Sequence, residues 1–122
     1  MSNVTRAEIL KLAESQTEDF IKLVSDLIRI PSENPTGTQR EVVDFVKHYL
    51  KEAGIASEEV AAHPDFPCVL AKIGKDDGFS VILNGHVDVV PAGDREQWDF
   101  DPFSGCLLYT SGRGLFQCTG TL

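Results

Sequence analysis

The sequence contains no apolar run long enough to cross a bilayer, so no membrane-spanning helix is expected. Basic residues are few: 11 Lys and Arg stand against 19 Asp and Glu, a formal net charge of −8. No basic cluster offsets this balance. An acidic chain repels phosphate backbones, so nucleic acid is not an expected partner. Cysteine is scarce. Cys68, Cys106 and Cys118 form no CxxC pair, and their odd number argues against a disulfide framework. The opening residues, Met1 to Arg6, lack the charged-then-apolar layout of a secretion signal, which makes the cytoplasm the expected compartment. There is no internal repeat and no low-complexity segment.

What is present suits a soluble α/β domain. Hydrophobic residues make up 42% of the chain, enough for a packed core, and 122 residues fit one small domain or part of a larger one. Thr5-Arg6-Ala7-Glu8 and Ser15-Gln16-Thr17-Glu18 both have capping-box spacing. They predict one long helix or two in series over residues 5–29, with Phe20, Val24, Leu27 and Ile28 on its apolar face. Pro31 ends that helix. PSENPTG, residues 31–37, reads as a loop, with Glu33, Asn34 and Thr36 as turn and cap residues. Thr38-Gln39-Arg40-Glu41 is a third capping box. It opens a helix over 38–53 with a stripe at Val42, Val46, Tyr49, Leu50 and Ala53, and Gly54 stands where a C-terminal cap belongs.

The period then changes. Residues 55–62 and 67–73 are strand candidates, with Cys68 read as a small buried hydrophobe. Residues 75–78 are a turn. Residues 79–88 read as a central strand covered on both faces, because Val81-Ile82-Leu83 is apolar throughout. Helices followed by strands imply an α/β layer architecture with a mixed sheet.

The chemistry concentrates in Asn84-Gly85-His86-Val87-Asp88. Alternation along a strand puts Asn84, His86 and Asp88 on one side, at the strand end where sites gather in open α/β sheets. A carboxylate two residues from an imidazole can hold its tautomer while the ring binds a metal. A hydrogen-bonded surface pair has the same spacing, so both readings stand on the residues alone. His48 and His63 read as solvated residues of a helix and a loop. Trp98 and Phe103 fit either a pocket wall or packing under a long loop.

NGHVDVVP, followed by Trp98 and Asp101-Pro102-Phe103-Ser104-Gly105, closely resembles the zinc metallopeptidase and deacylase family. Acetylornithine deacetylase, succinyl-diaminopimelate desuccinylase, aminoacylase-1 and glutamate carboxypeptidase belong to it. LIRIPSENPTG, residues 27–37, looks like that family's exit from its first helix. The resemblance implies a three-layer α/β/α catalytic domain that hydrolyses amide bonds in N-acyl amino acids or small peptides. It implies two Zn2+ ions sharing a water, with Co2+ or Mn2+ able to occupy such ligands. His86 would be a zinc ligand and Asp88 the catalytic residue that orients it. A glutamate from a later Glu-Glu pair would be the general base, and a separate lid domain would bind substrate and form a homodimer.

The sequence departs from the family pattern after Gly105. Gln117 stands at the position of the family's metal-bridging aspartate, and a neutral amide lacks the charge and second equivalent oxygen that bridging needs. The expectation is therefore an incomplete N-terminal part of the catalytic domain over 1–122, with an atypical tail at 106–122, either true divergence or a sequence that is not native, and no lid. Such a chain is expected to lack turnover. The alternative is a non-catalytic copy that binds metal weakly through His86.

Overall fold

The computed structural model describes residues 4–75 and 78–106, and the following account is of those residues. The element order is α1 (Arg6–Ser15), α2 (Thr17–Ile28), α3 (Arg40–Glu52), β1 (Ser57–Val60), β2 (Cys68–Ala71) and a single 3-10 turn at Arg95–Gln97. Residues 5–29 thus form two helices in series. The first capping box is present in full: Thr5 Oγ1 accepts from the Glu8 amide at 3.3 Å, and Glu8 Oε2 accepts from the Thr5 amide at 2.8 Å. The second is not. Ser15 still lies in the last turn of α1, and its hydroxyl donates back to the Leu12 carbonyl at 2.8 Å. A cap needs an extended residue whose side chain faces the next helix's free amides, and the N-cap of α2, Gln16, makes no side-chain bond.

The third box is also corrected. Helix α3 starts at Arg40, and Thr38 Oγ1 accepts from the Arg40 amide at 3.1 Å while donating to the Asp65 carbonyl at 3.0 Å. The Gln39 amide reaches the same carbonyl at 2.9 Å. The helix start is therefore tied to a turn 26 residues away rather than closed by Glu41. At the other end, Gly54 takes φ +72° and the Ile55 amide donates to the Leu50 carbonyl at 2.8 Å. That left-handed residue closes the helix as the sequence predicts.

Strands β1 and β2 pair antiparallel, with Ser57 opposite Ala71 and Val60 opposite Cys68, and α3 packs against both. Glu59 accepts from Arg40 at 2.6 Å and Lys47 at 2.7 Å, which pins the helix to the sheet. Arg40 also donates to the Pro64 carbonyl. The bond from Lys47, then that from Arg40, hold the Glu59 carboxyl below its ordinary value of 4.5. A carboxyl with a depressed folded pKa stabilises the fold above the unfolded value and loses that contribution as pH falls through the folded one. Thermal stability is therefore expected to drop below about pH 4.5. Melts across that range should show a smaller acid loss in Glu59→Gln, and an identical acid profile would refute the link.

Several burial expectations fail. Cys68 is exposed. Side chains alternate along β2, and Val69 rather than Cys68 takes the half-buried side. The covered central strand at 79–88 is also overturned. Phe79, Ile82 and Leu83 are 95%, 89% and 93% exposed, and no strand is assigned there. Apolar composition reports what a segment would bury, not which partner is alongside. The two described strands spend their ladder on each other, so the described residues form a two-stranded antiparallel sheet with three helices instead of a mixed sheet. Phe20 is exposed too, while Val42 and Val43 of α3 are the fully buried apolar side chains among the described residues. No helix there is long and apolar enough to cross a membrane.

Candidate active site

The site is assembled by the loop after α2. Residues 32–34 run beside residues 87–92 and form one parallel bridge, Glu33 with Val89. The Val89 amide donates to the Ser32 carbonyl at 3.1 Å, and the Asn34 amide donates to the Val89 carbonyl at 2.9 Å. Side chains add three more ties. Ser32 Oγ, on a residue only 2% exposed, donates to the Val87 carbonyl at 2.7 Å. Glu33 Oε1 accepts from the Ala92 amide at 2.7 Å. Asn34 Nδ2 donates to Asp88 Oδ2 at 3.0 Å. A segment without a strand ladder is thus fixed at its far end by five hydrogen bonds to a loop more than 50 residues earlier. Asn34 precedes a cis peptide bond to Pro35.

These ties present His86 and Asp88 together. His86 Nδ1 lies 3.1 Å from Asp88 Oδ1 and 3.0 Å from the Asp88 carbonyl oxygen. Both neighbours are acceptors, so in the neutral ring the tautomer that satisfies them has its proton on Nδ1, and Nε2 then keeps its lone pair. The His86 side chain is 84% exposed, so that lone pair faces solvent. Asn34's hydrogen bond, opposed by partial desolvation and aided by the Asp88 backbone and His86, holds the Asp88 carboxyl below its ordinary value of 3.8. Asp88 is therefore a carboxylate at neutral pH and accepts from both neighbours.

Behind the pair lies a cavity of about 730 Å³. Leu27, Ile28 and Val42 line it from the helices, and Trp98 and Phe103 from the following loop. Trp98 Nε1 donates to the Ala92 carbonyl at 2.9 Å, and Arg95 stacks 5.8 Å from the centre of the Phe103 ring. The loop is closed by Gly105. It is buried at φ +63°, and its carbonyl accepts from Ser25 Oγ of α2 at 2.7 Å.

An exposed Nε2 backed by a carboxylate-held Nδ1 fits one ligand position of a divalent metal. Among the described residues no group of three or more His, Cys, Asp or Glu is gathered to complete a site. His48 and His63 are exposed and apart from the pair, and His63 Nδ1 accepts from the Asp65 amide at 3.2 Å. Asn84 is exposed and takes no part in these bonds. Gln117, with Cys118 and Arg113, lies outside the described residues. Sequence reasoning missed Ser32, Glu33 and Asn34 as supports of the site. Their polar turn chemistry was visible, but nothing in it names a partner so distant in the chain.

Succinyl-diaminopimelate desuccinylase of Methylobacterium radiotolerans is 38% identical over 108 residues, covering 82% of this chain and 26% of that protein. The desuccinylase of Ehrlichia canis is 38% identical over 104 residues, covering 80% of this chain and 26% of its own length. The N-formyl-4-amino-5-aminomethyl-2-methylpyrimidine deformylase of Bacillus subtilis is 34% identical over 119 residues, covering 90% of this chain and 27% of that enzyme. The chain spans about a quarter of the length of the curated relatives it matches. No family model and no solved structure matches it.

Proposed function

This chain belongs to the deacylase family that includes succinyl-diaminopimelate desuccinylase, and from that premise we propose that it contributes the first ligand of a zinc-dependent amide hydrolase. The substrate class is a small N-acylated amine, an N-acyl amino acid or a small peptide. The relatives' names support it, since they describe removal of a succinyl group or of an N-formyl group. Within this reading His86 is the zinc ligand through Nε2. Asp88 fixes the ring's tautomer and, as an anion accepting from Nδ1, raises the basicity of the opposite nitrogen. Zinc, when bound, supplies a Lewis acid for the scissile carbonyl and for the attacking water. Cobalt or manganese in place of zinc belongs to the same proposal. A cytoplasmic location and a dimer built through a further domain belong to the same proposal.

The observation that carries this reading is the doubly anchored Nδ1, with its partner nitrogen open to solvent. It is tested by calorimetric zinc titration of the chain, with the His86 ring resonances marking the site in the wild type. His86→Ala is expected to weaken binding at least about tenfold. Equal affinity in wild type and variant would overturn the ligand assignment.

The second reading is a non-catalytic chain that binds metal weakly through His86 and turns nothing over. Hydrolysis of N-succinyl, N-formyl and N-acetyl amino compounds separates the two. Turnover that disappears in His86→Ala supports the enzyme, and zinc binding without turnover supports the non-catalytic chain.

A further inference from the structure

We infer that Asn34 is a positioning residue: its amide holds the Asp88 carboxylate in the one orientation that aims an oxygen at His86 Nδ1. The inference rests on His86 being the metal ligand for its meaning, but not for its test. The geometry is a three-member chain. Asn34 Nδ2 donates to Asp88 Oδ2 at 3.0 Å, and Asp88 Oδ1 receives His86 Nδ1 at 3.1 Å. A carboxylate on a half-exposed side chain has several staggered rotamers open to it. Holding one oxygen selects the rotamer, and the other oxygen is then placed without further contact.

The holder must itself be held. Asn34's backbone amide is bonded to the Val89 carbonyl at 2.9 Å, one residue beyond Asp88. Ser32, two residues before Asn34, is bonded to the Val87 carbonyl and the Val89 amide. The exposed side-chain bond is therefore flanked on both segments by main-chain bonds that fix the backbone on either side of it. Asn suits the position because its amide nitrogen donates to a carboxylate without adding charge. An acid there would repel Asp88, and a lysine would neutralise it and compete with the imidazole.

The test reads side-chain rotamers in the metal-free chain by three-bond NMR couplings. In the wild type, Asp88 and His86 are each expected to occupy one χ1 well. In Asn34→Leu, which keeps the branched shape and removes the donor, Asp88 is expected to average over two or three wells, with His86 loosening in turn. Asn34→Ala gives the same reading if the larger side chain disturbs the loop. In an Asp88→Asn background, Asn34→Leu should add nothing to the loosening of His86, because the effect travels through Asp88. A merely structural role would lower the melting temperature of both backgrounds and leave the rotamers of the folded state unchanged. Unchanged Asp88 couplings in a folded Asn34→Leu or Asn34→Ala chain overturn the inference. So does a further loosening of His86 in the double variant. Zinc binding that is insensitive to His86→Ala would instead overturn the ligand assignment and leave this positioning result readable on its own.

Discussion

Gly105→Ala is expected to destabilise the chain by about 3 kcal/mol, whereas Gly54→Ala should cost only about 1 kcal/mol. Both glycines have positive φ, +63° and +72°. An L-residue in that left-handed region costs about 1–2 kcal/mol whatever surrounds it. The difference lies in the space. At Gly54 an added Cβ meets nothing within 4 Å. At Gly105 it would stand 2.6 Å from the Ser25 carbonyl oxygen, 2.7 Å from Ser25 Oγ and 3.2 Å from Arg29 Cγ. The first of these is helix backbone and cannot turn aside. Relief requires the loop to lift off α2, which breaks the 2.7 Å bond from Ser25 to the Gly105 carbonyl. Overpacking of this kind costs about 1–3 kcal/mol in addition. Urea unfolding followed by the single Trp98 measures both variants, and the Gly105 change should also alter the native fluorescence because Phe103 and Trp98 share the cavity wall. Equal midpoints for the two alanine variants would show that the loop is not docked on α2.

That contrast also marks how far the sequence carries. Thr5 and Gly54 act as the caps their types imply, because capping depends on neighbours within one turn. Residues 38–53 and 67–73 contain a helix and a strand for a similar reason: period and local breakers decide them. The meeting of His86 with Asp88 was visible in their spacing. Ser15 and Thr38 show where local reading stops. Each has capping-box spacing, yet one remains inside the preceding helix and the other is drawn to the Asp65 carbonyl. The reach of Asn34 to Asp88 and of Glu33 to Ala92 was not visible at all. A polar loop residue can satisfy itself through water or any nearby amide, so its type does not select a partner 54 or 59 residues away. Residues 79–88 fail in the opposite sense. Their apolar run states a demand for burial, and only tertiary structure can say whether a neighbour meets it.

Val43→Asp is expected to abolish the cooperative unfolding transition, and Val43→Ala to lower stability by about 2 kcal/mol. Val42 and Val43 are 2% and 1% exposed, and they are the fully buried apolar side chains among the described residues. Around them the core thins quickly, with Val46 and Leu50 half-buried and Tyr49 exposed. Truncating Val43 removes two carbons' worth of burial, about 0.8 kcal/mol each, and leaves a small void. A carboxylate at the same position has no water and no cation to receive it. Arg40 and Lys47, which flank Val43 on α3, are both committed to Glu59. An uncompensated buried charge costs about 3–5 kcal/mol, against a total stability near the low end of about 5–15 kcal/mol for a small domain. The Asp variant therefore has little native state left to measure at neutral pH. Acidification should restore part of it, since protonating the new carboxyl removes the charge. Far-UV circular dichroism against urea checks the neutral-pH loss, and the same melt at lower pH checks the recovery. A Val43→Asp chain with a wild-type midpoint would mean that α3 does not turn this face to the core. The wall of the cavity behind His86, which Val42 shares, would then need a different support.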